Sequence, residues 1–371
     1  MGKVKAPKKP KYYSLVPILS RGAIYNMIIG ERSNGKTFAC LRYAIERYVQ
    51  AGEQTAIVRR WDTDYKGKNG QTMFDALAAA GVIEELTGGE WTNVYYWSSR
   101  WYLCRYDEEG NRTRVEEPFA YAFAISTGEH DKSTSYPRIT TIVFDEFLTR
   151  TAYLPNEFVL YMNLLSTIIR DRDNVKIFML GNTVNKYAPY FKEMGLTHIS
   201  AMKPGDIDVY RYGEGKLTVA VEYCKARKEG KASDVYFAFD NPKLQMITTG
   251  AWEIDVYPHA PYKHLPKDIV FTYFIIWEGT TLQADVIQRG AELYTFVHIK
   301  TGDIRDPERD LVFSPEFSPS PVRRRNILVA YDMIGKKILD QYRRDKIFYQ
   351  DNEVGELLRN YLMWCKTDRG A

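Results

Sequence analysis

No stretch of this 371-residue chain approaches the roughly 18 consecutive apolar residues that a membrane helix needs, so no membrane span is expected. Cysteine is scarce. Cys40, Cys104, Cys224 and Cys365 are scattered and form no C-x-x-C pair. That spacing argues against a zinc cage and against a disulfide framework, and it suits a reducing cytoplasm. The first eleven residues lack both acids and an apolar core, so no secretory signal is expected. There is no internal repeat. Apolar residues make up 45% and charged residues 26%, the balance of a packed protein, and the length suggests two domains or one large domain with a smaller one. Net charge is only +4, but the basic residues cluster: Lys3, Lys5, Lys8, Lys9 and Lys11, then Arg323-Arg324-Arg325, then Arg343, Arg344 and Lys346. Such blocks suit a nucleic-acid backbone, and equally a solvated tail or helix face.

The chain is organised around Gly30-Glu31-Arg32-Ser33-Asn34-Gly35-Lys36-Thr37, which matches G-x-x-x-x-G-K-[ST]. Glycines let the backbone curl until its N–H groups face a polyphosphate. In such a loop Lys36 reaches the β- and γ-phosphates of ATP, and the Thr37 hydroxyl ligates Mg²⁺. The apolar run 23–29 reads as the strand entering the loop, and 38–49 as the helix leaving it, whose N-terminus adds anion affinity. About a hundred residues later, 139–144 reads as a buried strand that ends in Asp145-Glu146. Asp145 suits the Mg²⁺ shell, and Glu146 suits a general base that polarises the attacking water. Asn182, at the end of the next apolar strand (175–180), is placed either to sense the γ-phosphate or to make an ordinary turn. Arg170 and Arg172 end the preceding helix. Each fits either an arginine inserted into a neighbouring subunit's site or a cap on the helix C-terminus.

Alternating strands and helices imply an α/β fold, a P-loop NTPase parallel sheet with helices on both faces. Within it, 54–60 reads as the second strand, 61–70 as a loop, 73–86 as a helix, and 91–106 with 115–125 as an aromatic hairpin or meander. A helix is expected from Pro155 to about Arg170. Segment 189–212 closes the domain, and 216–229 reads as a strand and helix. Three strands then form an antiparallel meander (269–277, 281–287, 293–299). Segment 314–321 reads as extended, and 327–344 and 353–365 as closing helices. The expected divisions are a basic arm at 1–20, the ATPase domain at 21–213, a linker module at 214–262, and a smaller α+β domain at 263–371.

Several runs resemble the DNA-packaging ATPases of phi29-like tailed phages: IIGERSNGKTF, GEQTAIVRRW, SYPRITTIVFDEF and LPNEFVLYMNLLSTIIRDRDNVKIFMLGN. The likeness is continuous over about residues 20–190 and fainter beyond, in IVFTYFIIWEGTTLQADV and the last forty residues. It implies an ATP- and Mg²⁺-dependent motor that moves double-stranded DNA into a preformed prohead. It also implies a homo-oligomeric, pentameric ring on the phage portal, contact with a structural RNA there, and action in the host cytoplasm. On this resemblance Arg170 takes the place of the trans-acting arginine finger, and Lys132 that of a second trans-acting basic residue. The family's basic residue after the R-R-aromatic run is replaced by Asp62, with Lys66 and Lys68 nearby. The family's C-terminal domain is a vestigial RNase H-like nuclease. In agreement, 269–277 has no acid, and Glu278 and Asp285 are the nearest carboxylates. The residues alone also fit a nucleotide-switched assembly protein, or a helicase on the same core.

Overall fold

A computed structural model of the chain describes residues 13–32, 34–131, 135–149, 153–182, 188–214, 217–225, 257–260, 263–306, 308–316 and 320–368. Two compact units emerge, 1–149 with 158–253 and 150–157 with 254–371.

The first unit holds β1 (Tyr25–Gly30), β2 (Gln54–Arg59), β3 (Asn93–Trp97), β4 (Arg100–Tyr106), β5 (Arg112–Arg114), β6 (Ala120–Ala124), β7 (Ile139–Asp145), β8 (Lys176–Asn182), β9 (Ile207–Tyr212) and β10 (Leu217–Tyr223). They form one sheet in the order β3-β4-β6-β2-β7-β8-β1-β10-β9, with β5 beside β4. From β6 to β10 every pairing is parallel. The central strands are buried nearly end to end, as a sheet covered on both faces requires. Neighbouring residues of β7 show the two layers. Val143 packs with Cys40 of the helix Lys36–Ala51 on one face. Phe144 meets Tyr161 of the helix Glu157–Ile169 at 4.8 Å and Tyr190 at 5.7 Å on the other. Strand β8 lies between β1 and β7, so the C-terminal ends of all three share one sheet edge.

Some local expectations change. Segment 73–86 is broken into the short helices Asp75–Ala79 and Val82–Leu86, because Gly81 takes φ +68° and starts a new turn. The expected loop 61–70 contains a 3₁₀ turn, Asp62–Tyr65, and the start of the helix Lys68–Thr72. Strand β10 falls beyond the boundary drawn at 213, yet it pairs parallel with β1 and antiparallel with β9. That boundary therefore cuts a hairpin of the first sheet, and its buried Val219-Ala220-Val221 core is what holds it there.

The second unit holds β11 (Ile269–Trp277), β12 (Thr280–Arg289), β13 (Glu292–Ile299), β14 (Leu311–Phe313), β15 (Arg323–Arg324) and β16 (Ile347–Tyr349), in the order β15-β14-β11-β12-β13-β16. The meander β11-β12-β13 is antiparallel, and β14, β15 and β16 join in parallel. The helices Met333–Arg343 and Asn352–Thr367 cover one face, each opened by an aspartate cap, Asp332 or Asp351. Val354, Leu358, Tyr361, Trp364 and Cys365 form the buried stripe of the last helix, and Trp277 packs against Tyr361 and Trp364. The expected helix 327–344 starts only at Met333. Before it the backbone closes short turns in place of bonds four residues back: the Val329 N–H donates to the Asn326 carbonyl and the Tyr331 N–H to the Val329 carbonyl.

Asp285 is buried in this sheet. Burial alone would raise its carboxyl, but bonds from His298, Gln283 and Thr272 outweigh that and hold it below its ordinary value of 3.8. The bond to Asp285 raises the His298 imidazole above its ordinary value of 6.5. The raised histidine stabilises the fold below its unfolded pKa and loses that contribution as pH climbs through the folded one. The depressed aspartate contributes above its unfolded pKa and loses it as pH falls. Stability should therefore decline as pH rises above about 6.5, and His298→Gln should flatten that decline. Denaturant melts at pH 5.5 and 8 compare the two proteins; parallel declines would refute the pair's role.

Candidate active site

Strand β1 delivers Gly30 to a turn where no side chain fits: a Cβ there would lie 2.9 Å from the Cβ of Cys224 on the neighbouring strand's end. Gly35 caps the following helix at φ +93°, a left-handed conformation that glycine adopts without cost. The Asn34 side chain accepts from the Lys36 N–H at 3.2 Å and helps close the loop. The Lys36 ammonium is buried. It donates to the carbonyls of Glu31 (2.7 Å) and Gly30 (3.3 Å) and to Asn182 Oδ1 (3.4 Å). Burial lowers its pKa, while Cys224, Asp145 and Glu31 work against that drop.

Across β8, the Thr37 hydroxyl donates to Asp145 Oδ1 at 3.2 Å. These are two hard oxygen donors side by side, the donor chemistry that a small divalent cation takes. Burial raises the Asp145 carboxyl, and Arg59 opposes the rise. Glu146 follows in a left-handed conformation, φ +62°, which costs a non-glycine residue about 1 kcal/mol or more. Arg60 holds that turn by donating to the carbonyls of Glu146 (3.3 Å) and Phe147 (2.8 Å). The strained turn aims the Glu146 side chain into a cleft of about 510 Å³ that also includes Arg32, Asn34, Gly35, Lys36, Thr37, Arg59, Asp145 and Asn182. Cleft size, a buried cation and paired oxygens fit a nucleoside triphosphate with a divalent cation.

The fold thus gathers the phosphate-loop residues, the acidic pair and Asn182. Ser33 and Lys132 lie outside the described residues. Arg170 follows the helix Glu157–Ile169 at φ +54°, is exposed, and is absent from the described lining of its own cleft. Arg172 is a cap: its guanidinium donates to the carbonyls of Tyr136, Pro137, Ile139, Ile168 and Ile169. Sequence reasoning gave no role to Arg59. Its guanidinium bridges Asp145 Oδ2 (2.7 Å) and Glu146 Oε2 (2.9 Å). Burial works against the Arg59 charge, but Asp145 and Glu146 together outweigh it and raise its pKa. A charged residue closing a buried parallel strand was the available signal.

A phosphate loop between strand and helix, an added strand separating β1 from β7, and an Asp-Glu pair closing β7 define a P-loop NTPase of the additional-strand class. The profile of the podovirus DNA encapsidation protein (Gp16) family matches residues 8–79 and 107–241. The DNA packaging protein of Bacillus phage phi29 is 30% identical over 278 residues, 74% of this chain and 75% of that protein. The chain belongs to this DNA encapsidation family. Among solved structures, "The Phi-28 gp11 DNA packaging Motor" has 17% identity and a TM-score of 0.57, with 97% of this chain and 99% of that one covered. "The bacteriophage Phi-29 viral genome packaging motor assembly" has 20% identity and a TM-score of 0.53, with 94% and 99% covered. Both support the fold.

Arg59→Ala should leave Asp145 as an uncompensated buried charge and cost about 3 kcal/mol in denaturant melts at pH 7. Arg42→Ala, which breaks the exposed pair with Glu85, should cost under about 1 kcal/mol. Equal costs would mean that the Arg59 bridge adds nothing.

Proposed function

We propose that this chain is the ATP-driven motor that moves double-stranded viral DNA into a preformed prohead. The observation that carries the reading is the meeting of Lys36, Thr37, Asp145 and Glu146 at one sheet edge, in a member of a DNA encapsidation family.

In this reading the phosphate-loop N–H groups cradle the triphosphate, and Lys36 exchanges its carbonyl partners for β- and γ-phosphate oxygens. Thr37 and Asp145 hold Mg²⁺, which when bound offsets charge on the transferred phosphoryl group. Glu146 takes the proton of the attacking water, while Arg59 keeps its carboxylate oriented. Asn182, already bonded to Lys36, feels the loss of the γ-phosphate. Arg170 acts on the neighbouring subunit's site. Its position at the far end of a helix that runs back from the β7 edge supports a trans role in a ring, pentameric by family resemblance. Lys132, on the family resemblance alone, supplies a second trans-acting basic group. Contact with DNA runs through backbone phosphates, so grip is independent of sequence and weakens with salt. The second unit is a remnant RNase H-like domain that meets either the prohead portal or its structural RNA. Its support is an antiparallel meander flanked by parallel strands.

The test is complementation. Lys36→Ala and Arg170→Ala proteins should each lose DNA-stimulated ATP turnover. In a random mixture, roughly a quarter of interfaces pair an intact site with an intact arginine, and activity should return accordingly. A mixture as inactive as its components would reduce Arg170 to a helix cap.

A further inference from the structure

The outer face of the β3-β4-β5 hairpin sheet carries arginines and aromatic rings in alternation. Register places Trp97 opposite Arg100, Tyr95 opposite Tyr102, Tyr106 opposite Arg112, and Cys104 opposite Arg114, so these residues share one face. Arg100 is in turn opposite Tyr121 of β6. Each arginine lies over a ring: Arg112 over Tyr95 at 3.2 Å, Arg114 over Tyr102 at 4.3 Å, and Arg100 over Tyr121 at 5.8 Å. Stacking fixes the guanidinium planes and leaves N–H edges for another acceptor.

Two facts separate this face from an ordinary solvated surface. First, Arg42, Arg47, Arg59 and Arg138 of the same unit each have a carboxylate partner, yet no ion pair among the described residues engages Arg100, Arg112 or Arg114. In the β4–β5 turn Asp107 and Glu109 accept from Asn111, and one Nη of Arg114 donates to the carbonyls of Val115 and Glu116. Second, Trp97 and Tyr106 keep 56% and 50% of their surface in solvent, one toward each end of the face. Guanidinium groups held over rings and outside any ion pair among the described residues match phosphates. Exposed rings on a flat sheet match bases that are free to unstack, which a duplex does not offer.

We infer that this face binds single-stranded nucleic acid, with Arg100, Arg112 and Arg114 on the phosphates and Trp97 and Tyr106 under the bases. Strands β3 and β4, with Trp97 and Arg100, lie in the stretch 80–106 that the family profile leaves unmatched, while Arg112 and Arg114 fall in its matched part. The face stands apart from the nucleotide cleft and does not rest on the motor reading.

The full chain is titrated against dye-labelled 12-mers of uridylate and deoxyuridylate and against a 12-base-pair duplex, with anisotropy as the readout. Both single strands should bind more tightly than the duplex, and the tighter of the two names the sugar that is read. Trp97→Ala should weaken single-strand binding at least about fivefold. Arg100→Gln with Arg112→Gln should reduce the slope of log affinity against log salt by about 1.4, the value for two lost single-strand phosphate contacts. Circular dichroism and ATP binding unchanged from wild type show that each variant is folded. Folded variants that bind as wild type does would overturn the inference. So would a duplex bound most tightly and indifferent to Trp97→Ala, or polyglutamate competing as well as the oligonucleotides.

Discussion

The contact from the Thr37 hydroxyl to Asp145 spans 108 residues of sequence, and the site depends on it. It forms because β8 separates β1 from β7 by one strand's width while all three run in the same direction. The loop leaving β1 and the acid closing β7 then reach across the end of β8, where Asn182 waits below Lys36. In open parallel sheets ligands settle at such carboxyl ends. The sheet is thus a device for placing a cation, a hydroxyl, a carboxylate and an amide within a few ångströms of one another.

Electrostatics determines how the buried part of that cluster stays charged. Burial pushes Lys36 down and Asp145 up, each toward its neutral form. Arg59 counters this on the acidic side and extends its other arm to Glu146. Adjacent residues at the end of β2 split the work, since alternation along a strand sends Arg59 to the carboxylates and Arg60 to the backbone of the turn that follows them. The strain at Glu146 is held by that second arginine.

Much of this was legible beforehand, because the informative signals are local. The phosphate loop, the apolar run ending in Asp145-Glu146 and the strand ending at Asn182 are contiguous patterns, and the parallel sheet follows from their alternation with helices. What escaped notice is non-local. Arg59 acquires its meaning from partners 86 and 87 residues away. Strand β10 reads as part of a separate module until its pairing with β1 is seen, and β14, β15 and β16 are too short to show a period. The helical start expected at 327 fails because the N–H groups of Val329 and Tyr331 close short turns onto Asn326 and Val329 rather than bonding four residues back. Arg172 could be told from Arg170 only by its five carbonyl partners.

The most direct measurement concerns Glu146, the carboxylate whose strained turn aims it into the cleft. Substituting Glu146→Gln keeps its size and removes its basicity. If water is activated there, the purified variant should bind ATP with nearly wild-type affinity while DNA-stimulated hydrolysis falls at least about a hundredfold. Hydrolysis at the wild-type rate would mean that Glu146 does not activate the water.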